Sequence, residues 1–140
     1  MNYNKIIKQL EMNNLVDSGN FICHAFRKYT VTQDRVIYAK YMSIDNTDIY
    51  PSFMLLSLKG DKLNISFAKA FGGFKKYYAS ISLNKFNFQE TFTLDKFIEV
   101  HFFYIEEENK KTPFYIIVNQ GKDRARALVD EIKRRKNVIF

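Results

Sequence analysis

A chain of 140 residues with 46% apolar and 16% aromatic residues, 2 Pro and 5 Gly can bury a core of its own, and its composition is not that of a disordered segment. Its formal charge of +7 leaves room for an anionic partner, while the one cysteine excludes an internal disulfide, cannot hold a metal by itself and fits a reducing compartment. No apolar run approaches the roughly 20 residues needed to cross a bilayer, and the first residues enter an amphipathic segment instead of a signal-peptide core, so the expectation is one cytoplasmic domain over 1–140.

Tyr3, Ile7, Leu10 and Asn14, with Ile6 beside them, recur at helical spacing and predict a helix over 2–14. Asp17-Ser18-Gly19-Asn20 breaks it, and strands are expected from 21 to 118. Phe21 to Tyr29 and Arg35 to Ser43 are strand-like, joined by Thr30 to Asp34, and Asp45 to Pro51 reads as a polar loop. Ser52 to Leu58 and Leu63 to Ala68 flank Lys59-Gly60-Asp61-Lys62, a tight-turn signal. In the second of these strands Leu63, Ile65 and Phe67 alternate with Asn64, Ser66 and Ala68, which predicts one buried face and one mostly wet face.

Ala70-Phe71-Gly72-Gly73-Phe74 interrupts the alternation as a hairpin tip. Lys76 to Leu83 resumes it with Tyr77, Ala79, Ile81 and Leu83 on one face, and Phe86 to Thr93 places Phe86, Phe88 and Phe92 together, Asn84-Lys85 being the turn between. From Lys96 to Ile105 both faces carry apolar residues, so coverage on both sides is expected over the second half. Glu106 to Lys111 is a solvated turn, and Pro113 opens the last strand, Phe114 to Val118, where proline is tolerated. Ala125, Leu128, Val129 and Ile132 then predict a helix over 120–136, with Asn119 as N-cap and acid-before-base pairs Asp130–Arg134 and Glu131–Arg135.

The order is a helix, seven or eight antiparallel strands and a terminal amphipathic helix. Within it, Gly60-Asp61-Lys62-Leu63-Asn64-Ile65-Ser66, then Phe71-Gly72-Gly73-Phe74-Lys75-Lys76-Tyr77, then Ile81-Ser82-Leu83-Asn84-Lys85-Phe86 resembles the bacterial pleckstrin-homology-like families. Their pattern has a glycine-bearing turn followed by basic residues and a strand of the form I-P-L-x-x-I; here Ser82 stands for the proline and Phe86 for the last isoleucine. The resemblance implies an α+β fold, a strongly bent antiparallel sheet or barrel plugged by the C-terminal helix, with the N-terminal helix as an addition. A lipocalin-like barrel fits the short length and terminal helices less well, and a cystatin-like or nuclear-transport-factor-like sheet usually puts its long helix first.

Residues 119–140 hold seven Lys/Arg against three Asp/Glu, a net +4. Lys133-Arg134-Arg135-Lys136 either meets an anionic surface or complements the helix C-terminal dipole. Phe71, Phe74, Lys75 and Lys76 either form an interfacial tip for a membrane or fold back as an ordinary turn. The resemblance adds Arg27, Lys28 and Arg35 beside the first loop as anion contacts, although the alternating basic signature of phosphoinositide binders is not reproduced.

Signals for catalysis are weak. Cys23 and His24 are consecutive in a strand and point to opposite faces, so they cannot act as nucleophile and base. His101 lies two residues from Glu99 on one face and can be oriented by it, or is simply a structural histidine. Glu106-Glu107-Glu108 rarely converges on one cation, and no dinucleotide, phosphate-loop, zincin or nucleophile-elbow motif is present. Tyr77 and Tyr78 beside Lys75 and Lys76 are the nearest approach to a nucleic-acid stacking platform. The reading is a non-catalytic binding module without cofactor, for a protein partner, for itself through a sheet edge, or for an anionic membrane surface at the periphery. A small-molecule or catalytic barrel with Phe103 and Tyr104 in a pocket ranks second, and nucleic acid third.

Overall fold

The computed structural model describes residues 2–26, 53–69 and 72–138. The expected strand Arg35 to Ser43, the segments 30–34 and 45–51, and the end of the first strand lie outside them. Helix α1 (Tyr3–Met12) begins where the Asn2 side chain accepts from the Lys5 amide at 3.2 Å. Ten residues are too few for a helix to persist alone in water; burial of Ile6 and Leu10, worth roughly 2 kcal/mol each, holds it. It ends as Asn14 takes φ +63 and Leu15 N–H turns back to the Leu10 carbonyl at 2.9 Å.

The strands are β1 (Ile22–Phe26), β2 (Phe53–Lys59), β3 (Lys62–Ala68), β4 (Phe74–Ser82), β5 (Phe86–Asp95), β6 (Ile98–Glu107) and β7 (Lys110–Val118). They form one antiparallel sheet of order β4-β3-β2-β1-β7-β6-β5. As expected, the fold is α+β, but the sheet is not closed. Among the described strands, β4 and β5, consecutive in sequence, are its two edges, joined only by the 3-10 turn Leu83–Lys85. Laid flat, seven strands would hold their edges about 29 Å apart at about 4.8 Å per spacing. The four steps from Ser82 to Phe86 reach about 14 Å. The sheet must therefore bend strongly to bring its edges together at that end.

Helix α2 (Lys122–Val138) lies on the concave core. Its Ala125, Leu128, Val129 and Ile132 pack with Cys23, Leu56, Ile65, Phe103, Phe114 and Ile116 in one cluster drawn from both halves of the sheet. The first i to i−4 bond runs from Ala125 N–H to the Gly121 carbonyl, and Gly121 sits at φ +66. Gly121 therefore immediately precedes the helix, which starts at Lys122, and Asn119, two residues further upstream and just past the end of β7, is not its cap. Helix α1 covers the other face of β1–β3 through Ile6, Leu10, Leu15 and Val16 on Ile22 and Leu55.

Three expected face assignments change. Asn64 and Ser66 are buried, not wet, because Leu15 and α1 roof that face of β3. A register shift between Ile65 and Ser66 leaves Tyr78 as an extra residue in β4, so Tyr77 points away from Ala79 and Ile81 and is 48% exposed. A second shift, between Phe88 and Glu90, puts Phe92 opposite Val100 and so on the face away from Phe86 and Phe88. In β6 the coverage on both faces falls at Ile98–His101, ahead of the half predicted, while Phe102 and Tyr104 are only half-buried.

Candidate functional site

The terminal basic run is built into the molecule. Arg135, 11% exposed, donates to Asp17 at 2.6 Å, to Glu131 at 2.8 Å and to the Gly60 carbonyl at 2.9 Å, so it ties α2 to the segment after α1 and to the β2–β3 turn. Arg134 also goes to Glu131, at 2.5 Å, and not to Asp130. The Arg134 hydrogen bond, outweighing burial and assisted by Arg135, holds the Glu131 carboxyl down at about 2. Burial pushes the Asp17 carboxyl up, but Arg135 with the Gly60 and Gly19 amides outweighs it and the net shift is down. Lys133 Nζ stands 3.7 Å from the Phe88 ring centroid, and Lys136 donates to the Phe86 carbonyl and, at 2.6 Å, to Asn87 Oδ1.

These last two lysines form one wall of a groove of about 470 Å³ between α2 and β5. Phe86, Phe88, Phe103 and Ile132 make its apolar part; Asn87, Gln89, Glu106 and Asn137 make its polar rim. Among the described residues strand β5 pairs only with β6, and its outer side borders this groove. Gln89 is the residue skipped by the register shift, and Gln89, Glu90, Thr91 and Thr93 are exposed.

Histidine chemistry is enclosed. His101 is 2% exposed; its Nε2 lies 2.9 Å from Glu99 and its Nδ1 lies 2.8 Å from the Thr91 hydroxyl. A carboxylate only accepts, so Nε2 carries the hydrogen and Nδ1 accepts from Thr91. Arg126 grips both oxygens of Glu99 at 2.8–3.1 Å. Burial lowers the His101 pKa more than Glu99 raises it, and in Glu99 the Arg126 and His101 contacts outweigh burial and lower the carboxyl. Cys23 faces the α2 core, its thiol pushed up to about 12 by burial. His24 faces the other side, donating from Nε2 to the Gly72 carbonyl at 2.6 Å. Glu106 and Glu107 take Lys111 and Lys85 at 3.7 and 2.6 Å, and no group of residues among those described converges to hold a metal ion.

Of the other contacts expected from sequence, Arg27, Lys28, Arg35 and Phe71 lie outside the described residues. Phe74 is half-buried against the α1 cluster, while Lys75 and Lys76 are exposed and Lys76 Nζ stands 4.9 Å over the Phe67 ring. Tyr77 and Tyr78 part to opposite faces, so they offer no common stacking surface. Sequence reasoning missed a second cleft, of about 420 Å³, lined by Asn13, Asn14, Leu15, Lys59, Lys62, Asn64, Tyr77 and Ser80. Its one sequence signal was a lysine at each end of the Gly60-Asp61 turn. Among the described residues no helix is long and apolar enough to cross a membrane. Compared with protein-family models, with curated proteins and with solved structures, the chain matches none.

Proposed function

We propose that this chain is a non-catalytic binding module of the pleckstrin-homology-like type, and that its ligand is an extended segment of a protein partner laid along β5. The carrying observation is the position of β5: an edge strand beside a groove with an apolar floor and two lysines on its far wall. The open, bent sheet with a C-terminal helix on its core supports the fold reading. The other edge is blunted by exposed Lys75 and Lys76, whereas β5 carries one charge, Glu90, over 86–93. Engagement of Arg134 and Arg135 within the chain favours a protein partner over an anionic membrane. Enclosure of His101, with both ring nitrogens occupied, favours a structural role for the Glu99–His101 cluster.

Selection from a random-peptide display library, followed by hydrogen-exchange mapping with a selected peptide, tests this. Slowed exchange over 86–93 is expected. Gln89→Pro, which removes an amide donor at the bulge, and Lys133→Glu, which reverses a wall charge, should each weaken binding about tenfold, or about 1.4 kcal/mol. Peptides that leave β5 exchange unchanged, or a protein that instead pairs β5 with a second copy of itself in sedimentation, would overturn the peptide reading.

A further inference from the structure

The cleft at the opposite edge of the sheet is independent of the β5 groove and has the chemistry of a ligand site. Lys59 and Lys62 are directly opposed across β2 and β3 and stand on the same face of the sheet. Opposed like charges destabilise a strand pair. Neither lysine has an acidic partner among the described residues; Lys62 donates once, to Ser82 Oγ at 3.2 Å.

Beside them, Asn64 is 4% exposed and its amide is oriented by its neighbours. Nδ2 donates to the Leu15 carbonyl at 3.0 Å, so Oδ1 accepts from Ser80 at 2.5 Å. The Ser80 hydrogen is thereby committed, and the 2.7 Å contact with Tyr77 requires the tyrosine to donate. The Tyr77 oxygen is left with lone pairs alone to offer a ligand. Asn13 donates one Nδ2 hydrogen to the Gln9 carbonyl at 2.7 Å and keeps Oδ1 as an acceptor. The bulge at Tyr78 is what turns Tyr77 to this face. Polar side chains at buried positions cost stability unless they have partners, yet Ser57, opposite Asn64, and Ser66 both keep buried hydroxyls without a partner among the described residues.

We infer that this cleft binds a hydroxylated phosphomonoester, its phosphate between Lys59 and Lys62 and its hydroxyls donating to Tyr77 and Asn13. A phosphomonoester carries a charge of about −1.5 to −2 near neutrality, which suits two ammonium groups better than one carboxylate does. The volume of about 420 Å³ suits a small ligand. The same chemistry occurs in a free sugar phosphate and in an inositol phosphate headgroup.

Amide-resolved NMR titration of the whole chain tests it, with glucose-6-phosphate as probe and inorganic phosphate and glucose as controls. Saturable shifts at Lys62, Asn64 and Ser80, and an affinity about tenfold above either control, are expected. The Lys59→Ala/Lys62→Ala double variant should lose that affinity about tenfold, while Tyr77→Phe should weaken the sugar phosphate and leave inorganic phosphate unchanged. Equal response to vesicles displaying phosphatidylinositol-4-phosphate would assign the headgroup as source, and response to the soluble probe alone would assign a free metabolite. No saturable shift up to about 10 mM, equal affinity for inorganic phosphate, or shifts that survive in a folded double lysine variant would each overturn the proposal.

Discussion

At the scale of single residues, the two histidines set the behaviour in mild acid. Burial lowers the His24 pKa, against the Gly72 carbonyl, and lowers that of His101, against Glu99; both fall below the ordinary 6.5. Each ring binds a proton less readily in the folded chain than in the unfolded one. Their contribution to stability is therefore complete above pH 6.5 and is lost as pH falls through the lower folded values. Imidazole NMR titration should place the His101 midpoint below 6.5, and Glu99→Gln should lower it further by removing the charge that favours imidazolium. A midpoint at or above 6.5 would mean that the Glu99 contact outweighs burial. The pairing of Glu99 with His101 was readable from a spacing of two in a strand; the hold of Arg126 on Glu99, from 27 residues away, was not.

Among the elements, Arg135 joins three that are remote in sequence: α2, the loop after α1 and the β2–β3 turn. Removing its side chain leaves Asp17 and Glu131 partly buried with less compensation, so Arg135→Ala is expected to cost about 3 kcal/mol in chemical denaturation. Arg135→Lys should restore under half of that, since one ammonium cannot serve three acceptors in different directions. The helical spacing announced Glu131–Arg135, but the same spacing suggested Asp130–Arg134, and that arginine joined Glu131 as well. Side chains three and four apart both lie within reach on a helix, and the choice between them depends on which acid faces the sheet.

For the molecule as a whole, β1 is in ladder register with β7 only at Phe26 and Ile117 among the described residues, while α2 contributes to a cluster shared by both halves of the sheet. The helix is thus an apolar link between β1–β4 and β5–β7. Leu128→Ala is expected to cost about 3 kcal/mol through the cavity it leaves. Unfolding followed by tyrosine fluorescence and by far-ultraviolet circular dichroism should stay coincident, because neither half buries its concave face without α2. Separate transitions would show that one half folds alone.

The sequence by itself determined what local chemistry decides: both helices, the turn at Gly60-Asp61, the strand positions within the described residues and the separation of Cys23 from His24. Tertiary structure alone decided that β4 and β5 are edges, that a second roof buries Asn64 and Ser66, and that two one-residue bulges send Tyr77 and Phe92 to faces opposite those predicted. The reason is physical. Side chains alternate with a period of two, so one extra residue inverts every later position, and that extra residue is fixed by pairing with a distant strand. The Lys59–Lys62 cleft arises the same way: its lysines come from one hairpin, but its roof and its tyrosine come from elements that meet only in the folded chain.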